Sequence, residues 1–273
     1  GCVPALDALK KGNPAPAMMS VAFTPWSIGY LTADALVNGL GKKTFFWQIR
    51  PDSWGTVTLQ GFEDGIKEFG GKIVGVEQLP KGAPDYSAVI NKALAAKPDV
   101  FITNMFGGDA VACIKTAYDM GLHKTSMLVN SWTTYEVAMG IPAEAAEQLY
   151  ALTYYYYDIG GFSKDLEARG KALREDHMKK YGFPPDAYAV LAYTAVDILM
   201  QATEKAGSVE GKKVGEVLQT AKFNTVKGDA SFRKDHQLQG KYLAFFVKGK
   251  AASAKKDKYD VFEVLGAYGG DKA

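Results

Sequence analysis

Cysteine is nearly absent from this 273-residue chain: Cys2 and Cys113 are the only two. That is too few for a disulfide framework, and Cys113, inside an amphipathic stretch, reads as a small core residue. Histidine is almost as scarce. His123, His177 and His236 lie far apart, and no HExxH or CxxC spacing offers a metal site. No run of eighteen apolar residues could span a membrane. Neither sign of charge dominates, with 32 basic against 30 acidic residues, and no basic stripe suggests nucleic acid. The start, Gly1-Cys2-Val3-Pro4, has no charged export segment, and no polar tether follows Cys2 to suggest a lipid anchor. Catalytic signatures are missing as well. There is no G-x-S-x-G elbow, no Walker loop and no G-x-G-x-x-G after the first strand. Gly107-Gly108-Asp109 opens a helix, but the acid there would repel phosphate. No cofactor is expected, and nothing in the sequence calls for an enzyme.

What the chain does have is rhythm. Hydrophobic runs begin at Thr44, Lys72, Val100 and Met127, so the intervals are 28, 28 and 27 residues, each long enough for one helix. Successive βαβ units of this kind wind right-handed into a parallel sheet covered by helices. Ligands of such sheets sit beyond the carboxyl ends of the strands, where helix N-termini converge. Intervening helices are expected around Phe62, Ile66 and Phe69, after Asp85, and from Asp109 to Met120, each ending at glycine or proline signals. Upstream, a helix tail over 5–11, a short strand from Met18 to Phe23 and a helix from Ile28 to Leu40 capped by Ser27 are expected.

Beyond the strand that starts at Leu149 the rhythm changes. Two long amphipathic helices are predicted, one with Leu166, Leu173, His177 and Tyr181, the other with Tyr188, Leu191, Ala195, Ile198 and Ala202. A short helix near Val214, a turn-rich stretch and a hairpin of strands Tyr242–Val247 and Tyr259–Leu265 complete the chain.

Aromatic and amide side chains collect at the strand ends. Trp26 and Ser27 follow the first short strand, Trp54 follows the run at Thr44, and Asn104, Phe106 and Gly107 follow Val100–Thr103. Asn130, Ser131 and Trp132 follow Met127–Val129, and Tyr155 lies in the run Tyr154–Tyr157. Flat rings beside a few amides suit a pocket for a small organic molecule. Each aromatic also has a structural reading, as a plug for the end of the sheet.

At these loops the chain resembles the type I periplasmic binding proteins, specifically the leucine/isoleucine/valine-binding family of ABC importers. The resemblance rests on Asp52-Ser53-Trp54-Gly55, Asp85-Tyr86-Ser87, Lys97-Pro98-Asp99-Val100, Gly107-Gly108-Asp109, Tyr193-Thr194-Ala195-Val196-Asp197 and Thr225-Val226-Lys227-Gly228 to Phe232, in that order over nearly the whole chain. It implies two α/β lobes joined by three crossovers, near 23–25, 154–157 and 225–228, with ligand trapped between them. Residues 1–25 would be a remnant of lobe 1 and the first crossover, 26–153 lobe 2, 154–224 the helices of lobe 1, and 225–273 the third crossover with the last strands of lobe 2. The resemblance further implies a periplasmic monomer that takes a small-molecule ligand and presents it to a membrane permease. The same fold also serves as the effector domain of lac-repressor-type regulators, the alternative reading, and as receptor ectodomains.

Two departures bear on the ligand. The family's opening stretch of lobe 1, which holds a ligand carboxylate, has no counterpart here, as expected of a truncated chain. Amino-acid binders also place an acid after the strand equivalent to Met127–Val129, to pair the ligand ammonium; here the segment is the neutral Asn130-Ser131-Trp132. A buried ammonium without a carboxylate costs several kcal/mol, which favours an aromatic or amide-bearing acid.

Overall fold

The computed structural model describes residues 18–270. The expected helix tail over 5–11, along with Cys2, lies outside them. The described residues divide into two units, one of residues 25–153 and 245–266, the other of residues 18–24, 154–244 and 267–270.

The first of these is built on a mainly parallel sheet. Its strands are β1 (Thr44–Ile49), β2 (Lys72–Gln78), β3 (Val100–Thr103), β4 (Met127–Asn130), β5 (Leu149–Thr153), β9 (Ala244–Gly249) and β10 (Phe262–Tyr268). They lie in the order β10-β9-β5-β4-β3-β1-β2. Strands β1 to β5 run parallel, and β9 returns antiparallel along β5, with Ala151 opposite Val247. The four strands expected from the 28-residue rhythm all form. β1 and β3 are buried almost throughout, as a sheet covered on both faces requires. The order places β2 and β3 on opposite sides of β1, so the chain reverses direction across the sheet at the β1/β3 boundary. Crevices open at such a switch point.

Helix α1 (Pro25–Asp34), which continues as a π-helical turn Ala35–Gly39, leads into β1, and three helices connect the strands that follow: α2 (Ser53–Phe69), α3 (Ser87–Ala96) and α4 (Gly107–Asp119). Short α5 (Tyr135–Met139) and α6 (Ala143–Ala146) precede β5. Asp52 caps α2 by accepting from Gly55 N–H at 3.1 Å. Helices α1 and α2 meet backbone to backbone. A Cβ at Gly29 would lie 1.9 Å from Thr58 O, and one at Gly61 would lie 2.0 Å from Trp26 O. Only glycine permits that approach. Cys113 is fully buried in α4, and burial pushes its thiol up to about 12.

The second unit holds α7 (Lys164–Tyr181), α8 (Ala187–Ala206), α9 (Gly211–Thr220) and a three-stranded antiparallel sheet of β6 (Lys222–Thr225), β7 (Gly228–Phe232) and β8 (Leu238–Gly240). Ser163 and Asp186 cap the two long helices, which end at left-handed Gly182 and Gly207. Phe223, Ala230, Phe232 and Leu238 of the small sheet pack on Ile198, Ala202 and Val214. This shared core keeps residues 225–244 with α8 and α9, so the expected assignment of 225–273 to lobe 2 is corrected for that stretch. Residues 225–228 form the β6–β7 hairpin instead of a crossover.

Two more expectations change. The Met18–Phe23 strand is reduced to one bridge, between Ser20 and Gln237. The helix expected from Ile28 begins at Pro25, where a fixed φ suits the first helical turn, so Ser27 lies inside it and not ahead of it.

Lys227 is buried in the second unit. Its Nζ donates to Leu243 O at 2.8 Å and sits 3.1 Å from the centroid of the Tyr154 ring. Burial pushes its amine well below the usual lysine range.

Candidate functional site

The segments beyond β1 and β3 are tied together by their backbone continuations. Asn104 N–H donates to Gln48 O at 3.2 Å, and Arg50 N–H donates to Asn104 Oδ1 at 3.0 Å. The second bond fixes the amide: its oxygen is spent on Arg50, which leaves Nδ2 as a donor. Asn104 is fully buried, and Nδ2 has no partner. One strand further on, Ser131 N–H donates to Thr103 O at 2.9 Å. That bond sets Ser131 next to Asn104 in the sheet's register, one step past the Thr103/Asn130 pair. Ser131 Oγ is likewise buried and unsatisfied.

The aromatic wall stands over the same boundary. Trp54, in the first turn of α2, meets Phe106, at the cap of α4, with ring centroids 4.8 Å apart and planes tilted by 52°. Trp54 is 8 % exposed. Phe106 is half-buried, so this pair keeps an accessible ring. Gly107 sits beside it in a left-handed conformation at φ +51°, in open space. Its role is to turn the chain into α4.

Arg50 was not singled out by the sequence. Its guanidinium carbon lies 5.8 Å from the centroid of Phe106, close enough for a cation–π contact. One terminal nitrogen pairs with Asp52, while the buried Nε has no partner. A charged residue just after a strand reads as a solvated loop position, so the signal lay only in the neighbouring strand.

The other expected residues go elsewhere. Asn130 is occupied internally: Oδ1 accepts from Trp132 N–H at 3.1 Å, and Nδ2 donates weakly to Met105 O at 3.4 Å. It shapes its own turn. Trp132 is 1 % exposed and offers no open face. Ser27 is buried within α1. Trp26 stacks on Tyr30 at 5.0 Å and donates to Asp64 Oδ2 at 3.0 Å, which engages it with the flank of α2 and holds the Asp64 carboxyl below its usual range. Tyr155 belongs to the second unit. There its hydroxyl would lie 2.1 Å from a Cβ at Gly170 of α7, and burial, with the Glu167 carboxylate adding to it, pushes the phenol up to about 12. Asp109, the acid at the start of α4, accepts from Gly82 N–H at 3.0 Å and holds a loop.

Among the described residues no cluster of three His, Cys, Asp or Glu could hold a metal. No helix there is long and apolar enough to cross a membrane. The candidate site is thus an aromatic pair beside unused donors at the strand ends. A family model described as periplasmic binding protein matches residues 3–254. The chain belongs to that family. One structure of similar fold is that of an amino acid ABC transporter substrate-binding protein from Pseudomonas fluorescens Pf-5. It superposes with a TM-score of 0.86 at 22 % identity, covering 97 % of this chain and 70 % of that one. A solute-binding protein from R. palustris in complex with benzoate superposes at 0.78 with 18 % identity, over 98 % of this chain and 71 % of that one. These likenesses show the type I periplasmic binding fold. Among curated relatives, the Leu/Ile/Val-binding protein homolog 1 of Brucella abortus (strain 2308) is 28 % identical over 197 residues, 70 % of this chain and 51 % of that protein. An amino acid binding protein of Pseudomonas aeruginosa is 24 % identical over 211 residues, covering 77 % and 54 %. The chain thus spans about half the length of the curated relatives it matches.

Proposed function

We propose that this chain is the ligand-capturing part of a non-catalytic solute-binding protein that supplies a small organic molecule to the permease of an ABC importer outside the cytoplasm. The observation that carries this reading is the set of groups at the β1/β3 switch point: Trp54 against half-open Phe106, with Arg50 alongside and unused donors on Asn104 and Ser131. Flat walls with a few convergent polar atoms suit capture and release. The absence of an unpaired carboxylate there disfavours an ordinary zwitterionic amino acid, although the printed names of the relatives include amino-acid binders. Family membership and the names of the relatives support the importer role.

The test is a screen of small carboxylic acids, amides and amino acids by thermal shift, with each compound assayed afterwards for chemical change. Capture is expected to raise the unfolding temperature by mass action and return the compound intact. Consumption of a stabilising compound would make the protein an enzyme and overturn the reading.

A further inference from the structure

The unused hydrogen-bonding capacity at the ends of β1, β3 and β4 leans toward donors, with only the Ser131 hydroxyl able to accept as well. Arg50 Nε and Asn104 Nδ2 can only donate, and Ser131 Oγ can donate. The acceptors nearby are already taken. Asn104 Oδ1 is held by Arg50 N–H, Asp52 by the Arg50 guanidinium and Gly55 N–H, and Asn130 Oδ1 by Trp132 N–H. Buried polar atoms without partners are rare in folded proteins and call for an explanation. Here three fall at the ends of adjacent strands of one sheet, at the boundary where its strand order reverses.

We infer that Arg50 is the specificity-determining residue of the site and that its ligand is a planar organic carboxylate. The carboxylate takes the guanidinium Nε and the Asn104 amide, and the flat body lies against Phe106 and Trp54. This inference rests on the solute-binding reading above and names its substrate class. Asp52 does not cancel the charge. Its side chain is 43 % exposed, so water screens it, and it uses one terminal nitrogen of a group with five N–H donors. A planar guanidinium matches the two oxygens of a carboxylate in a way an ammonium does not. A neutral amide of the same shape would bring an N–H₂ group where a carboxylate oxygen would accept from Arg50 Nε or Asn104 Nδ2, leaving that donor unsatisfied, and would lack the charge that the guanidinium pairs.

Calorimetric titration with benzoate, its isostere benzamide, and leucine tests this directly on the whole chain. Benzoate is expected to bind at least about tenfold more tightly than benzamide, as loss of one charge-assisted hydrogen bond implies. Arg50→Gln is expected to erase that preference by weakening benzoate alone. Arg50→Lys, which keeps the charge without the fork, is expected to retain part of it. Equal binding of benzoate and benzamide by the unaltered chain overturns the assignment, as does an Arg50→Gln protein that still prefers benzoate. Leucine bound more tightly than benzoate also overturns it while leaving solute capture intact. Failure of all three probes to bind the unaltered chain overturns both readings.

Discussion

Two serines bracket β4, one at each end, and they live under opposite rules. Ser126, just before the strand, is buried, and its hydroxyl donates to Pro98 O at 2.7 Å. Ser131, just after it, is buried just as deeply, and its hydroxyl meets nothing. The contrast extends along the sheet. At the amino ends, Asp99 accepts from Lys43 N–H at 2.8 Å and Thr44 N–H at 2.9 Å, and its own N–H donates to Thr44 Oγ. Polar atoms there close one another off, with His123 Nδ1, on a ring stacked 4.2 Å from Tyr118, as the exception. At the carboxyl ends the donors of Arg50, Asn104 and Ser131 stand idle. One end of the sheet is finished by the fold, and the other keeps the donors on which the proposed site rests.

The comparison breaks most visibly at Trp54. With its ring buried against Phe106, Trp54→Ala is expected to lower the unfolding free energy by about 3 kcal/mol and to abolish capture. Trp54→Phe, which keeps a ring in place, is expected to recover most of the stability. If Trp54→Phe also binds every screened compound as the unaltered chain does, the indole is a plug and not a wall.

Next in size is Asp99→Asn, which turns a charged acceptor of two backbone N–H groups into a neutral one. Urea unfolding is expected to show a loss of about 1 kcal/mol with ligand affinity unchanged. Hydrogen bonds from Lys43 and Thr44 hold the Asp99 carboxyl below its usual range, outweighing its burial. A carboxyl whose folded value is depressed contributes stability that is full above its ordinary range and fades as pH falls toward the folded value. The difference between Asp99→Asn and the unaltered chain is therefore expected to be present at pH 7 and to shrink on acidification below the ordinary aspartate range. A gap that widened with acid would refute the sign.

The smallest effect is the sharpest. Ser126→Ala leaves Pro98 O without its donor and is expected to cost about 1 kcal/mol. Ser131→Ala removes a hydroxyl that bonds to nothing and is expected to be neutral or slightly stabilising in the free protein, with a loss appearing only once ligand is added. Equal costs for the two substitutions would mean that the ends of β4 do not differ.

Much of this architecture could be read from the chain before its coordinates. Even spacing of apolar runs located β1 to β4, because a buried parallel sheet demands continuous hydrophobic strands. It could not locate β6 to β8, which are three to five residues long and bury only alternate side chains, as in Lys222-Phe223-Asn224-Thr225. The site was legible by neighbourhood and not by role. Asn104 and Asn130 look alike in sequence, each at the end of a strand. One spends its oxygen on the next strand's backbone and keeps a free donor; the other closes a turn on itself. That difference is decided by the adjacent segment, which periodicity does not reveal. Arg50 was missed for the same reason, since only Phe106, 56 positions away, gives it a context.

The glycine contacts between α1 and α2 carry a consequence for where Trp54 can be. With Thr58 O pressed on Gly29 and Trp26 O on Gly61, two rods touch at their axes with no side-chain cushion to compress or slide. The indole at the tip of the second rod inherits its position from that bearing. Drift in the surrounding loops can move the groups around the indole, while the helix pair that carries it keeps its spacing.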